Sequence, residues 1–384
     1  MTAPKEKVLV AMSGGVDSSV AAALLKQQGY DVVGCFMRLG SEDGVETDQE
    51  PVSDAASGKP GHQGCCSLND ACDARRVAGL LDIPLYVLNF KKDFGRVIRY
   101  FVDEYNAGRT PNPCVRCNDW LKFDRLVDYA RSIGAGFIAT GHYARIDRSD
   151  RSSRGVGLFT GRDAHKDQSY FLFGLQRSVL ERVLLPIGQM EKAEVRRTAQ
   201  QLGLPVFNKP DSQEICFVPD NDYTGLIKRQ TPDRIEPGPI LDTEGQVVGQ
   251  HSGQQQFTIG QRRGVAVALG YPIYVVDKDA QANTVTVGTA EHLMADGLVA
   301  GETNWLIDTP SGESMACLVK IRHNSPAVPA QVRVVDGHRT EVRFDHPMRA
   351  VTPGQAAAYY QDDQLIGGGW ITKALRHEAA PVSV

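Results

Sequence analysis

The chain has 384 residues, 42% of them hydrophobic and 23% charged, with a net charge of −4. That length calls for two or three domains whose cores stand without disulfide staples. The acidic balance excludes a bulk electrostatic attraction to nucleic acid, so any RNA contact must come from local basic patches. The absence of an apolar run of 18 residues excludes a membrane-spanning helix.

The opening MTAPKEKVLVAMSGG has no signal-peptide pattern, so a cytoplasmic chain is expected. Lys7–Met12 then reads as a buried strand, Ser13-Gly14-Gly15 as a turn, and Ser18–Gln28 as an Ala/Leu-rich helix closed by Gly29. Asp31–Met37 is a second strand. Residues 40–64 are polar, acidic and aperiodic, and read as a surface insertion. Asn69–Leu81 predicts a helix, Leu85–Phe90 a strand, Trp120–Ile133 a helix and Gly136–Thr140 a strand. This alternation predicts a parallel sheet with helices on both faces. Asp147–Gly157 is a polar loop. Tyr223–Gln230 predicts a short helix, after which short strands and turns dominate: Pro239–Leu241, Gln246–Gly249, Ile273–Asp277 and Thr284–Gly288. Met315–Ile321, Ala330–Val335, Thr340–Phe344 and Ala356–Tyr360 continue the pattern and predict a small C-terminal β-barrel. The expected domains are 1–218, 219–292 and 293–384.

Ala11–Val20, AMSGGVDSSV, carries the clearest chemical signal. Glycines let backbone amides approach an anion, the helix N-terminus adds partial positive charge, and Ser13, Ser18 and Ser19 add hydroxyls. No Gly-Lys-Ser/Thr follows, so this is no Walker loop, and G-x-G-x-x-G is absent. A plain strand–turn–helix with capping residues is the bland alternative, but two glycines, an Asp and three serines exceed what capping requires. Asp17 would repel phosphate unless it holds Mg²⁺ or orients the loop. The stretch resembles the SGGxDS pyrophosphate loop of the N-type ATP pyrophosphatases. That resemblance implies ATP cleaved between its α- and β-phosphates, with AMP transferred to a carbonyl-type oxygen.

The eight cysteines are Cys35, Cys65, Cys66, Cys72, Cys114, Cys117, Cys216 and Cys317. In a leaderless chain they should be reduced, with clustered thiols serving catalysis or metal binding. Cys117 precedes a helix expected to begin near Asn118. A helix N-terminus and the cations Arg116 and Lys122 suit a reactive thiolate there. Cys114 and Cys117 form a C-x-x-C pair, which is also half of a zinc or iron–sulfur site. A cluster held by Cys114, Cys117 and Cys216 therefore stays open beside the catalytic reading. Cys216, flanked by Ile215 and Phe217, reads equally as a buried structural thiol.

SGGVDSSV, the FMR of Phe36–Arg38, CCSLND, DARRVA, TPNPxxxCN, ATGHYAR, HKDQSYFLFGL, KPDSQEICFV, QHSGQQQFTIGQRRG and AVTPGQAAAYY follow in this order. On these motifs the chain resembles the bacterial tRNA-specific 2-thiouridylases along nearly its whole length. The resemblance implies a nucleophile at Cys117 and a persulfide carrier at Cys216. It implies ATP contacts at Ala11, Met12, Ser13, Gly14, Gly15, Val16, Asp17, Ser18, Met37 and Gly141. It places the target uridine at Asn112, Pro113 and Cys114. Further tRNA contacts fall on His142, Lys166, Asp167, Gln168, Arg322, His323 and Gln355. Many members of that family carry Asp where Cys114 stands, which weakens any general-base role there and keeps a metal or iron–sulfur role for the pair open as the lesser reading.

The implied reaction adenylates C2 of the wobble uridine in the tRNA anticodon arm, with Mg²⁺. It then transfers sulfur received from a cysteine-desulfurase relay. From the residues themselves, His142 reads as a strand-end cap or an RNA contact. Gln254–Gln256 with Gln261, Arg262 and Arg263 read as an RNA-facing patch or a solvated turn. Lys209 and Arg322 suit phosphate contacts, and Trp305 and Trp370 suit the barrel core. Two other readings stay open: a different ATP-pyrophosphatase ligase, amidating or lysidine-forming, and a non-catalytic RNA- or nucleotide-binding protein.

Overall fold

The computed structural model describes residues 5–40, 68–148, 155–211, 215–218, 222–308 and 314–376. The insertion read at 40–64 lies outside the described residues beyond Gly40, as do residues 149–154 of the second polar loop. Cys65 and Cys66 also fall outside them. The chain divides into two compact units. One comprises Met1–Ile98, Pro113–Asp222 and Asp363–Leu365; the other comprises Arg99–Asn112, Tyr223–Asp362 and Ile366–Val384.

The first unit starts with β1 (Lys7–Ala11), α1 (Val16–Gln27), β2 (Asp31–Arg38), α2 (Leu68–Leu80) and β3 (Leu85–Asn89). α3 (Lys91–Asn106) follows and runs into the second unit. Next come α4 (Pro113–Cys117), a π-helical stretch over Asn118–Arg125, α5 (Leu126–Ser132) and β4 (Phe137–Ala139). The hairpin of β5 (Ala144–Asp147) and β6 (Gly157–Thr160), α6 (Arg177–Leu180), β7 (Val183–Leu184) and α7 (Lys192–Gln201) complete it.

Its five-stranded sheet has the order β3-β2-β1-β4-β7, parallel throughout. Val8, Leu9 and Val10 are fully buried, as a central parallel strand covered on both faces requires. Strand order reverses between β1 and β4, so the loops leaving their C-terminal ends open a crevice at the topological switch point.

In the second unit, after α8 (Tyr223–Gln230), β8 (Gly238–Leu241), β9 (Val247–His251), β10 (Tyr274–Asp279) and β11 (Thr284–Gly288) form a sheet of order β10-β11-β8-β9. Ile240, Phe257, Val275 and Val285 form its core. The C-terminal strands are β12 (Met294–Trp305), β13 (Ser314–Lys320), β14 (Val328–Asp336), β15 (Arg339–Arg349), β16 (Ala356–Gln361) and β17 (Gln364–Arg376). β12 pairs with both β15 and β17, which closes a six-stranded antiparallel barrel around Leu298, Val319, Val342, Tyr359 and Ile366.

Three local expectations change. The helix expected from Trp120 begins at Pro113 and passes through the π-helical stretch. A proline with fixed φ is suited to open a helix. Cys114, not Cys117, therefore occupies its first turn. The amphipathic α3 did not stand out in the sequence. Nor did β12 and β17, which are rich in glycine, a residue depleted in strands. These glycines serve close packing: a Cβ on Gly297 would lie 2.1 Å from the carbonyl oxygen of Val342 on the neighbouring strand.

Candidate active site

The phosphate loop leaves β1 and enters α1. Gly14 has φ +76°, and a Cβ there would sit 2.3 Å from the backbone oxygen of Asp70, so only glycine fits the turn. Gly15 caps α1 without a side-chain bond, which leaves the first-turn amides facing outward from the helix end. The serines divide their labour. Ser18 Oγ accepts the Ser13 amide at 3.2 Å, and Ser19 Oγ, fully buried, donates to the Gly15 carbonyl at 2.8 Å. Ser19 thus builds the loop; of the three hydroxyls, that of Ser13 is the more exposed.

Lys209 braces the same turn. Its ammonium donates to the Gly14 carbonyl at 3.0 Å, to Asp70 at 2.6 Å and to Asp73 at 2.7 Å. Burial opposes its charge, but the two carboxylates outweigh that and hold its pKa above the ordinary lysine value. Lys209 therefore acts within the protein as an organiser of the loop. Gly141, just past β4, meets α1 across the switch point: a Cβ there would lie 2.6 Å from Ser18 N. Asp17, in the first turn of α1, receives the Tyr143 hydroxyl at 2.7 Å and both its oxygens face Lys192, at 2.8 and 2.9 Å.

The two expected thiols share one cluster. Cys117 and Cys216, 99 positions apart in sequence, pack as half-buried residues against one apolar cluster of Leu39, Phe90, Phe94, Val97, Ile98 and Leu121. Met37, at the C-terminal end of β2, packs against the same cluster. The sheet thus puts an expected ATP contact and both sulfurs around one core. Phe217 anchors the Cys216 turn by an edge-on contact with Phe94, with ring centroids 5.6 Å apart, and the Val218 amide closes that turn on the Ile215 carbonyl at 2.8 Å. Residues 212–214 lie outside the described residues.

On the Cys117 side, the π-helical turn is held from below. Asn118, 2% exposed, donates to the Phe171 carbonyl at 3.1 Å. Gly174 leaves room for Asp119, whose carboxylate would be 2.1 Å from an added Cβ. The KDQSYF block therefore supports the helix that carries the thiol. π-Helical turns of this kind recur at functional sites. Arg96 stacks on Trp120 at 3.8 Å and Arg116 lies 5.0 Å from the same ring, so two guanidinium groups gather on the ring three positions after Cys117.

Other expected site residues are placed as follows. Cys114 is exposed, and among the described residues no three His, Cys, Asp or Glu side chains are grouped to hold a metal. As placed, Cys114, Cys117 and Cys216 do not form a ligand set. Asn112 is half-buried and Pro113 buried. Gln355 donates to the Thr110 and Pro111 carbonyls at 3.1 and 3.0 Å, so it braces the backbone that leads to Asn112.

His142 is 8% exposed, with Nδ1 2.7 Å from the Thr140 hydroxyl; burial, and then Lys122, push its pKa well below the ordinary value. Asp167, also buried, accepts from the Gly161 and Ser169 amides. Gln168 accepts from the Tyr143 amide and Lys166 pairs with Asp211. Arg322 donates to the Ala350 carbonyl and to Thr352, and His323 is half-buried.

Gln254 and Gln255 are 2% and 3% exposed and bind Tyr105, Asn106 and Arg234, so they join the interior instead of facing RNA. Arg262 and Arg263 are exposed. Trp370 is buried, and Trp305 packs against the barrel core. A cavity of about 840 Å³ in the second unit, lined by Ile259, Val276, Leu293, Lys373 and Arg376 among others, contains none of these site residues.

Sequence reasoning passed over Lys192, Tyr143, Asp211 and Asn118. Lys192 had a readable signal: Glu191 and Glu194 flank it as a capping pair, with the Glu191 amide on Glu194 at 2.7 Å, and Gly203 follows the helix. Asp211 could not be paired with it from sequence alone.

A parallel α/β unit with a glycine phosphate loop at its switch point, followed by two β modules, defines a nucleotide-dependent enzyme of the HUP class. The chain matches the model described as tRNA methyl transferase HUP domain over residues 6–220. It matches the tRNA methyl transferase PRC-barrel domain over 225–289 and the aminomethyltransferase beta-barrel domain over 295–371. It is 46% identical to the tRNA-specific 2-thiouridylase MnmA of Carboxydothermus hydrogenoformans, over 97% of this chain and 99% of that one. It is 47% identical to the protein of that name from Geobacter metallireducens, over 97% and 98% of the two chains. The chain belongs to the tRNA-specific 2-thiouridylase MnmA family.

Proposed function

We propose that the chain is a tRNA-uridine 2-sulfurtransferase that converts the wobble uridine to 2-thiouridine at the expense of ATP. The observation that carries this reading is the apolar cluster shared by Cys117, Cys216 and Met37, the last on β2, the strand paired with the β1 that leads into the phosphate loop. The matched domain descriptions speak of methyl transfer, but two thiols packed on one cluster within the unit that carries the phosphate loop favour sulfur chemistry.

Oxygen on C2 of uracil is a poor leaving group. Adenylation there makes AMP the leaving group, and the first-turn amides of α1 with Ser13 would stabilise the departing pyrophosphate. Mg²⁺ ordinarily binds through one carboxylate and the substrate phosphates; Asp17, the carboxylate of this loop, is already engaged by Tyr143 and, through both oxygens, by Lys192, so no step here is routed through it. Cys216 carries the terminal persulfide sulfur, received from a cysteine-desulfurase relay. The persulfide attacks C2 directly, AMP leaves, and the Cys117 thiolate then attacks the Cys216 sulfur, which frees 2-thiouridine and leaves a Cys117–Cys216 disulfide; or the Cys117 thiolate attacks the inner sulfur of Cys216 first. In the second route a Cys117–Cys216 disulfide forms and hydrosulfide is released, which then displaces AMP. A thiol reductant restores both cysteines. The cysteines as placed do not fit a three-thiolate cluster, and neither route runs through one.

The target base must leave its stack to reach the thiols. Residues 1–218 would carry the chemistry, while 219–292 and 293–384 grip the anticodon arm. Exposed Lys228, Arg229, Arg262 and Arg263 supply local positive charge on an acidic chain. A cytoplasmic location fits a tRNA substrate. The test is mass spectrometry of tRNA nucleosides after incubation with ATP, Mg²⁺ and a persulfide donor. 2-Thiouridine is expected; a methylated or aminated nucleoside, or no ATP-dependent product, would overturn the reading.

A further inference from the structure

Lys192 opens α7, which packs on α1. Its side chain is only 12% exposed, and its ammonium touches two carboxylates. Asp17, in the phosphate loop, is bound through both oxygens; Asp211 Oδ1 lies 2.7 Å away. Asp211 stands five residues before Cys216. Lys166 and Arg196 also hold Asp211, at 2.8 and 2.9 Å, and Tyr143 holds Asp17 from the other side. Three cations thus serve two carboxylates. Burial opposes the charge on Asp211, but the hydrogen bonds from Lys166 and Lys192 outweigh it, and its pKa lies below the ordinary carboxylate value.

A lysine held by its partners in a mostly enclosed site is not a solvated surface ion. The adenylation loop and the base of the segment carrying Cys216 are therefore tied through one atom. α7 is the fixed element from which that atom reaches both.

We propose that Lys192 is a positioning residue for sulfur transfer: by joining Asp17 to Asp211 it sets where the Cys216 segment stands relative to the site of adenylation. This rests on the sulfurtransferase reading above and deepens it. Asp17 keeps the Tyr143 hydroxyl when Lys192 is lost, whereas the tie from Asp17 to Asp211 goes with it, so the loss should act on the second half-reaction more than on the first. Displacements of about 1 Å cost rates on the order of 100-fold in positioned reactions.

The test compares single-turnover pyrophosphate release, which reports adenylation, with 2-thiouridine formation, which reports sulfur transfer. Wild type, Lys192→Met, Asp211→Asn and the double variant are compared, each with its melting temperature. In both single variants 2-thiouridine formation should fall about 10- to 100-fold, and by several times more than pyrophosphate release. The double variant should be little worse than either single one, because both changes cut the same link. Equal falls in the two half-reactions, or multiplying losses in the double variant, would overturn the proposal in favour of a general structural or direct phosphate role. Wild-type protein that releases pyrophosphate but forms no 2-thiouridine would instead overturn the sulfurtransferase reading and this proposal with it.

Discussion

Replacing Gly141 with alanine tests how closely the two loops at the switch point must approach. The added Cβ would lie 2.6 Å from Ser18 N and 2.7 Å from Asp17 C, both backbone atoms, whereas ordinary contact begins at 3.4 Å. The gap of about 0.8 Å between 2.6 and 3.4 Å must open by moving α1 or the end of β4. Overpacking of this kind costs about 1–3 kcal/mol. For a unit of this size each kcal/mol lowers Tm by roughly 2–4 °C. The same displacement moves the first-turn amides off the phosphates, and misplacement near 1 Å is worth about 100-fold in rate. Pyrophosphate release over a range of ATP concentrations, with thermal unfolding in parallel, separates the two effects. A fall in kcat/KM for ATP of about 10- to 100-fold with a loss of only several degrees is expected. Wild-type kcat/KM in a folded Gly141→Ala protein would refute the reasoning, because it would mean that this approach has no bearing on the nucleotide.

Lys209→Met removes the cation shared by Asp70 and Asp73, leaving Asp70, 4% exposed, without that charge partner. Partial exposure of Asp73 reduces the cost, and a destabilisation of about 2–3 kcal/mol is expected by chemical denaturation, below the figure for fully buried pairs; unchanged stability would show that the loop does not depend on this brace. His142 gives a pH dependence. Burial, then Lys122, lowers its pKa well below 6.5, so the folded protein keeps it neutral while the unfolded chain takes up a proton below that value. The stability it contributes is present above pH 6.5 and drains as pH falls. Tm should therefore decline less between pH 7 and 5 in His142→Gln than in wild type, and identical slopes would contradict the assignment.

Fold class was legible because the first half alternates apolar runs with periodic segments, and a buried parallel strand such as Val8–Val10 needs no partner information to be seen. The phosphate loop was legible for a local reason: strand, glycines and helix are contiguous. What sequence could not give was pairing across distance. That Cys216 shares a cluster with Cys117, or that Asp211 shares Lys192 with Asp17, depends on the turns of the chain after α7. Burial was the other blind spot. Gln254 and Gln255 look like surface residues by type, but Gln254 donates to the last carbonyls of α3, and Gln255 to the Asn106 side chain and the Arg234 carbonyl. Glycines in β12 and β17 misled because a residue depleted in strands also allows two strands to close.

The central claim is that Cys216 delivers sulfur in a site that Cys117 shares. It is tested most directly by loading the protein with isotopically labelled persulfide sulfur and running one turnover with ATP and tRNA without reductant. Nucleosides and cysteine peptides are then read by mass spectrometry. Labelled 2-thiouridine in wild type, none in Cys117→Ser or Cys216→Ser, is the expected result, with a disulfide-linked Cys117–Cys216 peptide in the wild type. Normal labelling of tRNA by either serine variant would contradict the account.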